Sequence, residues 1–328
     1  MNYRKLGKTG FSVSEISLGT WQVGGKWGEP FSHANADNIL NAAADAGINF
    51  IDTADVYGDG ESEKAVGRLV RSRSERIYVA TKCGRRLQPH TAEAYQPAVL
   101  RQFVEDSLRN MHLETIDLIQ LHCPPTEVYY RPEIFELFDR LREEGKIQHL
   151  GVSVEKVEEG LKAIEFPNVT TVQLIFNMFR QRPPELLFKE AARRDIGLIV
   201  RVPLASGLLT GKFSAQTHFS ADDHRNFNRH GEAFDKGETF SGVDYATGLE
   251  AVEALKNVFP VNQPLAAQAL RWVLMFDEVS CVIPGASSPA QILSNLQAAE
   301  LPPLTPEQMK AVRDIYAQKI RPQVHYSW

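Results

Sequence analysis

Eight short apolar runs, each followed by a stretch of helical periodicity, predict an α/β protein whose parallel strands close into a (β/α)8 TIM barrel. Two further observations favour closure over an open, doubly wound sheet. The runs are apolar on both faces, as strands covered by helices must be. No Gly-x-Gly-x-x-Gly follows any of them, so the phosphate-binding turn of the doubly wound fold is missing.

Turn signals at Gly7 and Gly10 set off a short N-terminal hairpin. The barrel strands are then expected near Ile16–Leu18, Phe50–Thr53, Ile77–Thr81, Ile116–Leu121, Ile147–Val152, Thr171–Leu174, Gly197–Val202 and Val279–Ile283. The helices between them are expected near Asp37–Ala46, Ser62–Val70, Pro97–Asn110, Pro132–Glu144, Val157–Ile164, Pro184–Arg194, Pro264–Met275 and Pro289–Ala299. A long polar segment, Ser214–Asp244, interrupts the alternation and reads as a solvated loop: a lid, a binding loop, or else a disordered stretch. Extra helices follow near Tyr245–Asn257 and Leu304–Gln318, the second outside the repeat. With no linker, low-complexity tract or further repeat, residues 1–328 are expected to form a single domain.

The composition is that of a globular protein: 43% hydrophobic and 23% charged, with a net charge of -5. The absence of a basic excess argues against a nucleic-acid partner. The N-terminus lacks an apolar signal region, and no run reaches the ~20 apolar residues that span a bilayer, so a cytoplasmic protein without membrane contact is expected. Cys83, Cys123 and Cys281 are odd in number and widely spaced, as reduced thiols would be.

In a barrel the active site is built where strands end, and three expected strands end in reactive groups: Asp52, Lys82 and His122. Tyr57 follows Asp52 in a loop closed by Gly58 and Gly60. Singly, each has a plainer explanation, since an Asp caps turns, a Tyr anchors loops, and a Lys or His at a strand end meets solvent. Together their chemistry is complementary. A phenol with pKa near ~10 is a poor acid at neutral pH, and a neighbouring ammonium lowers that value. Lys82 is the candidate neighbour, Asp52 its partner, and His122 a hydrogen-bonding group for a carbonyl oxygen.

These residues lie within Phe50-Ile51-Asp52-Thr53-Ala54-Asp55-Val56-Tyr57-Gly58, Ala80-Thr81-Lys82 and Asp117-Leu118-Ile119-Gln120-Leu121-His122, a pattern that resembles the aldo-keto reductases. Gly151-Val152-Ser153, Gln173 with Asn177, Pro203-Leu204 and Gly207-Leu208-Leu209-Thr210-Gly211-Lys212 continue the resemblance, in the style of the bacterial general-stress and sugar-related branch. It implies NADP(H) at the barrel mouth, with NAD(H) as an alternative, and an aldehyde or ketone reduced to an alcohol. Tyr57 would be the proton donor, Asp52 and Lys82 would tune it, and His122 would orient the substrate. No metal is implied. Because the family also includes ion-channel subunits, a cofactor-binding sensor with little turnover is the alternative, and oligomeric state is left open.

The resemblance also implies cofactor contacts. Ser153, Gln173 and Asn177 would take the carboxamide, with Gly19, Thr20 and Trp21 beside the same ring. Pro203, Leu204, Ser206, Gly207, Leu209, Gly211 and Lys212 would approach the pyrophosphate. Ile283, Gly285, Ser287, Gln291 and Asn295 would hold the adenosine end. Trp21, Trp27, Cys123 and Tyr129 are candidates for the substrate pocket, as are the aromatics of the C-terminal His325-Tyr326-Ser327-Trp328.

Three positions depart from the family pattern. Val154 replaces a common Asn, Arg201 stands where an aromatic residue commonly stacks on the nicotinamide, and Ser287-Ser288 lacks the Arg often found near the 2′-phosphate. Arg201 would stack on the ring and, through its charge, favour the reduced cofactor over the cationic oxidised one. His218, Asp222, Asp223, His224 and His230 in the long loop match no metal-ligand spacing.

Overall fold

The computed structural model describes residues 1–25 and 30–328, so Trp27, a candidate for the substrate pocket, lies outside the described residues. The chain opens with an antiparallel hairpin of β1 (Tyr3–Lys5) and β2 (Ser12–Ser14). Eight parallel strands follow in sequence order around one sheet: β3 (Leu18–Gly19), β4 (Phe50–Asp52), β5 (Tyr78–Cys83), β6 (Ile116–His122), β7 (Ile147–Ser153), β8 (Val169–Ile175), β9 (Gly197–Arg201) and β10 (Val279–Val282). All eight coincide with expected runs.

The sheet closes where β3 meets β10. The amides of Ser17 and Gly19 donate to the carbonyls of Val282 (2.8 Å) and Pro284 (3.2 Å), and Val282 N–H donates to Glu15 O at 2.9 Å. A Cβ on Gly19 would fall 2.8 Å from the Ile283 carbonyl oxygen, so this seam requires glycine. The ring plus the hairpin, with helices outside, is the predicted barrel.

Side chains alternate along each strand, so every second residue enters the barrel. At the bottom these are Phe50, Ala80, Leu118, Ile199 and Cys281, packed against Leu6, Phe11 and Val13 of the hairpin. Burying each large apolar side chain there contributes about 1.5–3 kcal/mol. Two residues further along β4, β5 and β9 the same face carries Asp52, Lys82 and Arg201. The pleat thus turns an apolar plug into a polar mouth. Outside, the helix Pro97–Met111 shows how the jacket forms: proline opens it, Leu100, Val104, Ser107 and Met111 make its buried stripe, and His112 at φ 52° ends it.

Two expectations are corrected. The single helix expected over Leu304–Gln318 is Pro306–Ile315, continued by a π-helical turn, Tyr316–Ile320, and by Arg321–Val324. Pro322 lacks the N–H that regular helix would need there. The segment after Ser214 is not a solvated loop throughout. His224, Asn228, Glu238, Thr239, Phe240 and Ser241 are buried, because this stretch lies across the mouth and meets charged groups there. No helix among the described residues is long and apolar enough to cross a membrane.

Candidate active site

Asp52 is the hub of the mouth. One carboxylate oxygen pairs with the Lys82 ammonium, and the other accepts from Gln120 Nε2 (2.9 Å) and Gln173 Nε2 (2.8 Å). Lys82 Nζ also donates to the Thr53 carbonyl at 2.8 Å and lies 3.4 Å from the Tyr57 phenol oxygen. Both charges are almost wholly buried, a costly arrangement that persists because each has several partners. Tyr57 and His122 complete the cluster with ring centroids 6.1 Å apart. The four predicted catalytic residues therefore converge.

Electrostatics sets their protonation. Burial opposes the Lys82 charge, but Asp52 and Tyr57 outweigh it and leave the ammonium held above its ordinary value. Burial raises the Tyr57 phenol, and Lys82 only partly offsets this, so the expected net lowering is not present. Tyr57 is thus held as the neutral phenol beside the Lys82 ammonium. Burial, then Arg85 and Lys82, push His122 well below the imidazole range, so it is neutral.

A second charged group lies beside the first. Arg85, just beyond β5, places Nη1 3.5 Å from His122 Nε2 and pairs through Nη2 with Glu238 at 2.6 Å. Arg201 lies 2.9 Å from Glu155 and 3.5 Å from Glu238, and it donates to the Val154 carbonyl at 3.1 Å. Burial opposes ionisation of both carboxyls, but the outcomes differ. Arg85 and Arg201 hold Glu238 down at about 2, whereas Glu155 is pushed up to about 8. Cys123, Glu155 and Glu238 present ligand-type atoms within 4.8 Å of one another, and the cation among them is the Arg201 guanidinium. Its charge is therefore partnered, which removes the electrostatic basis for expecting it to select the reduced cofactor.

The loop also supplies walls. Trp21 lies 6.4 Å from the Tyr57 ring, 4.9 Å from His224 and 6.4 Å from Phe234, while the Arg85 guanidinium sits 5.4 Å from the Phe234 ring. Trp328 fastens this loop: its indole N–H donates to Asp235 at 2.7 Å and its ring lies under Arg180 at 4.1 Å. Cys123 is nearly buried, its Sγ 3.4 Å from Ser153 Oγ. Tyr129 is wholly buried in the core, its hydroxyl donating to the Ser153 carbonyl at 3.4 Å, so it packs there instead of forming a wall.

The candidate cofactor residues fall on one arc of the mouth. Ser153 and Gln173 end or nearly end β7 and β8, and Thr20 joins β4 by donating to the Asp52 carbonyl. Gln173 Oε1 is buried without a hydrogen-bond partner among the described residues, which suits a carboxamide N–H. Asn177 is fully used, donating to Val202 O (2.9 Å) and Ser241 Oγ (2.8 Å) and accepting from Phe179 N–H (2.8 Å). It anchors the loop, so a cofactor contact there requires these bonds to exchange.

Beyond β9 the backbone is strained, with positive φ at Val202 (52°), Ala205 (48°), Ser206 (55°) and Gly207 (97°). Ser206 Oγ is tied to the loop, donating to Glu238 O and accepting from Phe240 N–H. Pro203 and Leu209 are buried, Leu204 and Gly211 half-buried, and Lys212 exposed. At the far end Ile283 is buried, a Cβ on Gly285 would meet only ordinary contacts at 3.8 and 3.9 Å, and Asn295 donates to the Gly285 carbonyl. Gln291 Oε1 accepts from Ser287 N–H at 2.7 Å.

Sequence reasoning missed Arg85, Gln120, Glu155, Phe234 and Glu238. Arg85 and Gln120 were within its reach, one three residues past Lys82 and the other two before His122. Glu155, two residues past Ser153 at the end of β7, was within reach as well, whereas Phe234 and Glu238 carry no local signal, since only the loop's path brings them to the mouth.

A (β/α)8 barrel with an Asp-Lys-Tyr-His cluster at its mouth, beside a Gln whose side-chain oxygen has no partner among the described residues, defines a class of barrel oxidoreductases. The profile described as "Aldo/keto reductase family" matches residues 15–317, and the chain belongs to that family. It is 30% identical over 323 residues to the uncharacterized oxidoreductase YqkF of Bacillus subtilis, covering 98% of each chain. It is 31% identical to the aldo-keto reductase YhdN of the same organism, over 89% of this chain and 87% of that one. Among solved structures, the holo form of the aldo-keto reductase AKR11C1 from Bacillus halodurans superposes with TM-score 0.77 and 27% identity, over 96% of both chains. Membership and fold support an oxidoreductase activity that uses a nicotinamide cofactor.

Proposed function

We propose that this protein reduces aldehydes or ketones to alcohols with NADP(H), Tyr57 giving the proton to the carbonyl oxygen. The observation that carries this reading is the Tyr57 hydroxyl 3.4 Å from a Lys82 ammonium that Asp52 holds in place. The nicotinamide would supply hydride to the carbonyl carbon. Neutral His122 would donate to the same oxygen and fix its position. As Tyr57 releases its proton, the fixed cation stabilises the phenolate that forms. Ser153 and Gln173 would hold the carboxamide, and the 203–212 and 283–295 segments the pyrophosphate and adenosine ends. The reaction would take place in one domain, in the cytoplasm.

The test is to follow NADPH absorbance with a panel of aldehydes, ketones and sugars. Wild type should oxidise NADPH, and Tyr57→Phe should bind it equally while losing turnover at least ~100-fold. Equal turnover in the variant removes Tyr57 from the mechanism. Cofactor binding by wild type without turnover of any carbonyl points to a sensor subunit.

A further inference from the structure

We propose that the mouth is built for carbonyl substrates that carry a carboxylate, with Arg85 as the group that binds it and Glu238 as a built-in occupant of that position until substrate arrives. The proposal rests on the reading of Tyr57 and His122 as the carbonyl-binding pair.

Three observations place a carboxylate subsite at Arg85. First, its guanidinium is 3.5 Å from Nε2 of His122, the ring that would hold the carbonyl oxygen. A substrate bonded to His122 therefore brings its next few atoms onto Arg85. Second, that guanidinium already binds a carboxylate. Glu238 Oε1 meets Nη2 at 2.6 Å, and it comes from the 214–244 loop, not from the barrel. The only carboxylate partnered with Arg85 among the described residues thus sits on a segment separate in sequence from the strand ends. Arg201, by contrast, keeps Glu155 and the Val154 carbonyl if Glu238 leaves. Third, the two guanidinium groups are unequally partnered. Arg201 meets both Glu155 (2.9 Å) and Glu238 (3.5 Å), whereas Arg85 meets Glu238 alone among the described residues. The Arg85 side chain is 21% exposed, so a substrate carboxylate that takes the place of its single partner would form a charge-assisted pair largely shielded from water. Phe234 and Trp21 supply apolar walls for a short carbon chain between the two polar ends.

The chemistry specifies a short oxo-acid, with carbonyl and carboxylate separated by a few atoms. A planar carboxylate suits the fork of Arg85, which Glu238 already engages.

The test uses the full-length protein with NADPH and two matched pairs: 4-oxobutanoate against butanal, and glyoxylate against glycolaldehyde. Wild type should favour the acid of at least one pair in kcat/KM by at least ~30-fold, and Arg85→Gln should reduce that ratio at least ~10-fold. Comparable kcat/KM for acid and neutral partner in both pairs would overturn the proposal while leaving carbonyl reduction standing. So would a preference for glyceraldehyde 3-phosphate over both acids.

Binding gives a readout that needs no turnover, so the proposal is tested even if the reductase reading fails. Succinate binding to the NADPH complex, followed by calorimetry, should weaken at least ~10-fold in Arg85→Gln. Because Glu238 competes for the same guanidinium, Glu238→Gln should bind succinate more tightly than wild type. If Glu238 were only a strap for the loop, Glu238→Gln would weaken binding or leave it unchanged, and either result would overturn the proposal. The double variant Arg85→Gln/Glu238→Gln leaves no unpaired charge at this pair and should still bind succinate poorly.

Discussion

Lys82 Nζ lies 3.4 Å from the Tyr57 hydroxyl while its remaining bonds go to Asp52 and the Thr53 carbonyl, so the cation is locked in place before a substrate binds. Replacing it separates two effects. Lys82→Met leaves Asp52 buried with two amide donors and no cation, which should cost about 3–5 kcal/mol of stability. Denaturant midpoints would measure that loss. Lys82→Met/Asp52→Asn should regain most of the stability without regaining turnover; recovery of both would mean the pair serves folding alone.

His122 makes a pH prediction. Burial, with Arg85 and Lys82, depresses its folded-state value, so the unfolded chain binds more protons below the ordinary imidazole range. Its contribution to stability is therefore present above about pH 6.5 and lost as pH falls below that value. His122→Gln should flatten this acid limb, and the His122 ring should show no NMR titration near neutrality. A ring that titrates there would contradict the neutral donor role.

The outcome of reading the sequence divides along the strand pleat. Asp52, Lys82 and His122 were legible because each ends a short apolar run, and the two-residue period carries them to the same face as Phe50, Ala80 and Leu118. The loop was not legible. Its Gly, His and Asp content suggests solvation, yet Glu238 and His224 are buried because Arg85, Arg201 and Trp21 await them across the mouth. Such pairing depends on partners ~30 to 200 positions away, which no local pattern encodes.

Asp55 predicts the opposite slope to His122. It is buried, its carboxylate has no hydrogen-bonding side chain among the described residues, and burial together with Glu63 raises it from 3.8 to about 7. The folded state therefore holds a proton that the unfolded chain has lost, and stability falls as pH rises from about 4 to about 7. The full effect would be up to about 4 kcal/mol. Asp55→Asn should remove the decline, so that the variant gains relative to wild type at pH 8. Parallel pH profiles would show that Asp55 is solvated or paired.

Arg201 is held by Glu155 and Glu238, so its charge is not free to act on a nicotinamide. Arg201→Tyr should move the ratio of NADPH to NADP+ affinities by less than about 3-fold, since the charge removed is already partnered. Stability should fall by about 2–4 kcal/mol as Glu238 loses one cation and Glu155 its partner. Glu155→Gln in the same background should restore part of it. A tenfold shift in the cofactor ratio would instead show that Arg201 acts directly on the ring.

Ser287 governs the last prediction, on cofactor choice. Its N–H (2.7 Å) and hydroxyl (3.2 Å) both point to Gln291 Oε1, and Ser288 caps the helix Pro289–Glu300 by accepting from Gln291 N–H. These are neutral groups. They can solvate a 2′-phosphate at the helix start but supply no cation to distinguish it from a hydroxyl. Wild type should therefore prefer NADPH over NADH by no more than about 10-fold in Kd, measured by fluorescence quenching. Ser287→Arg places a fork-shaped cation at this position and should raise the preference by a further ~10-fold, reversed by high salt. If that variant changes both affinities equally, the 2′-phosphate is read elsewhere, and Lys212 becomes the residue to replace next.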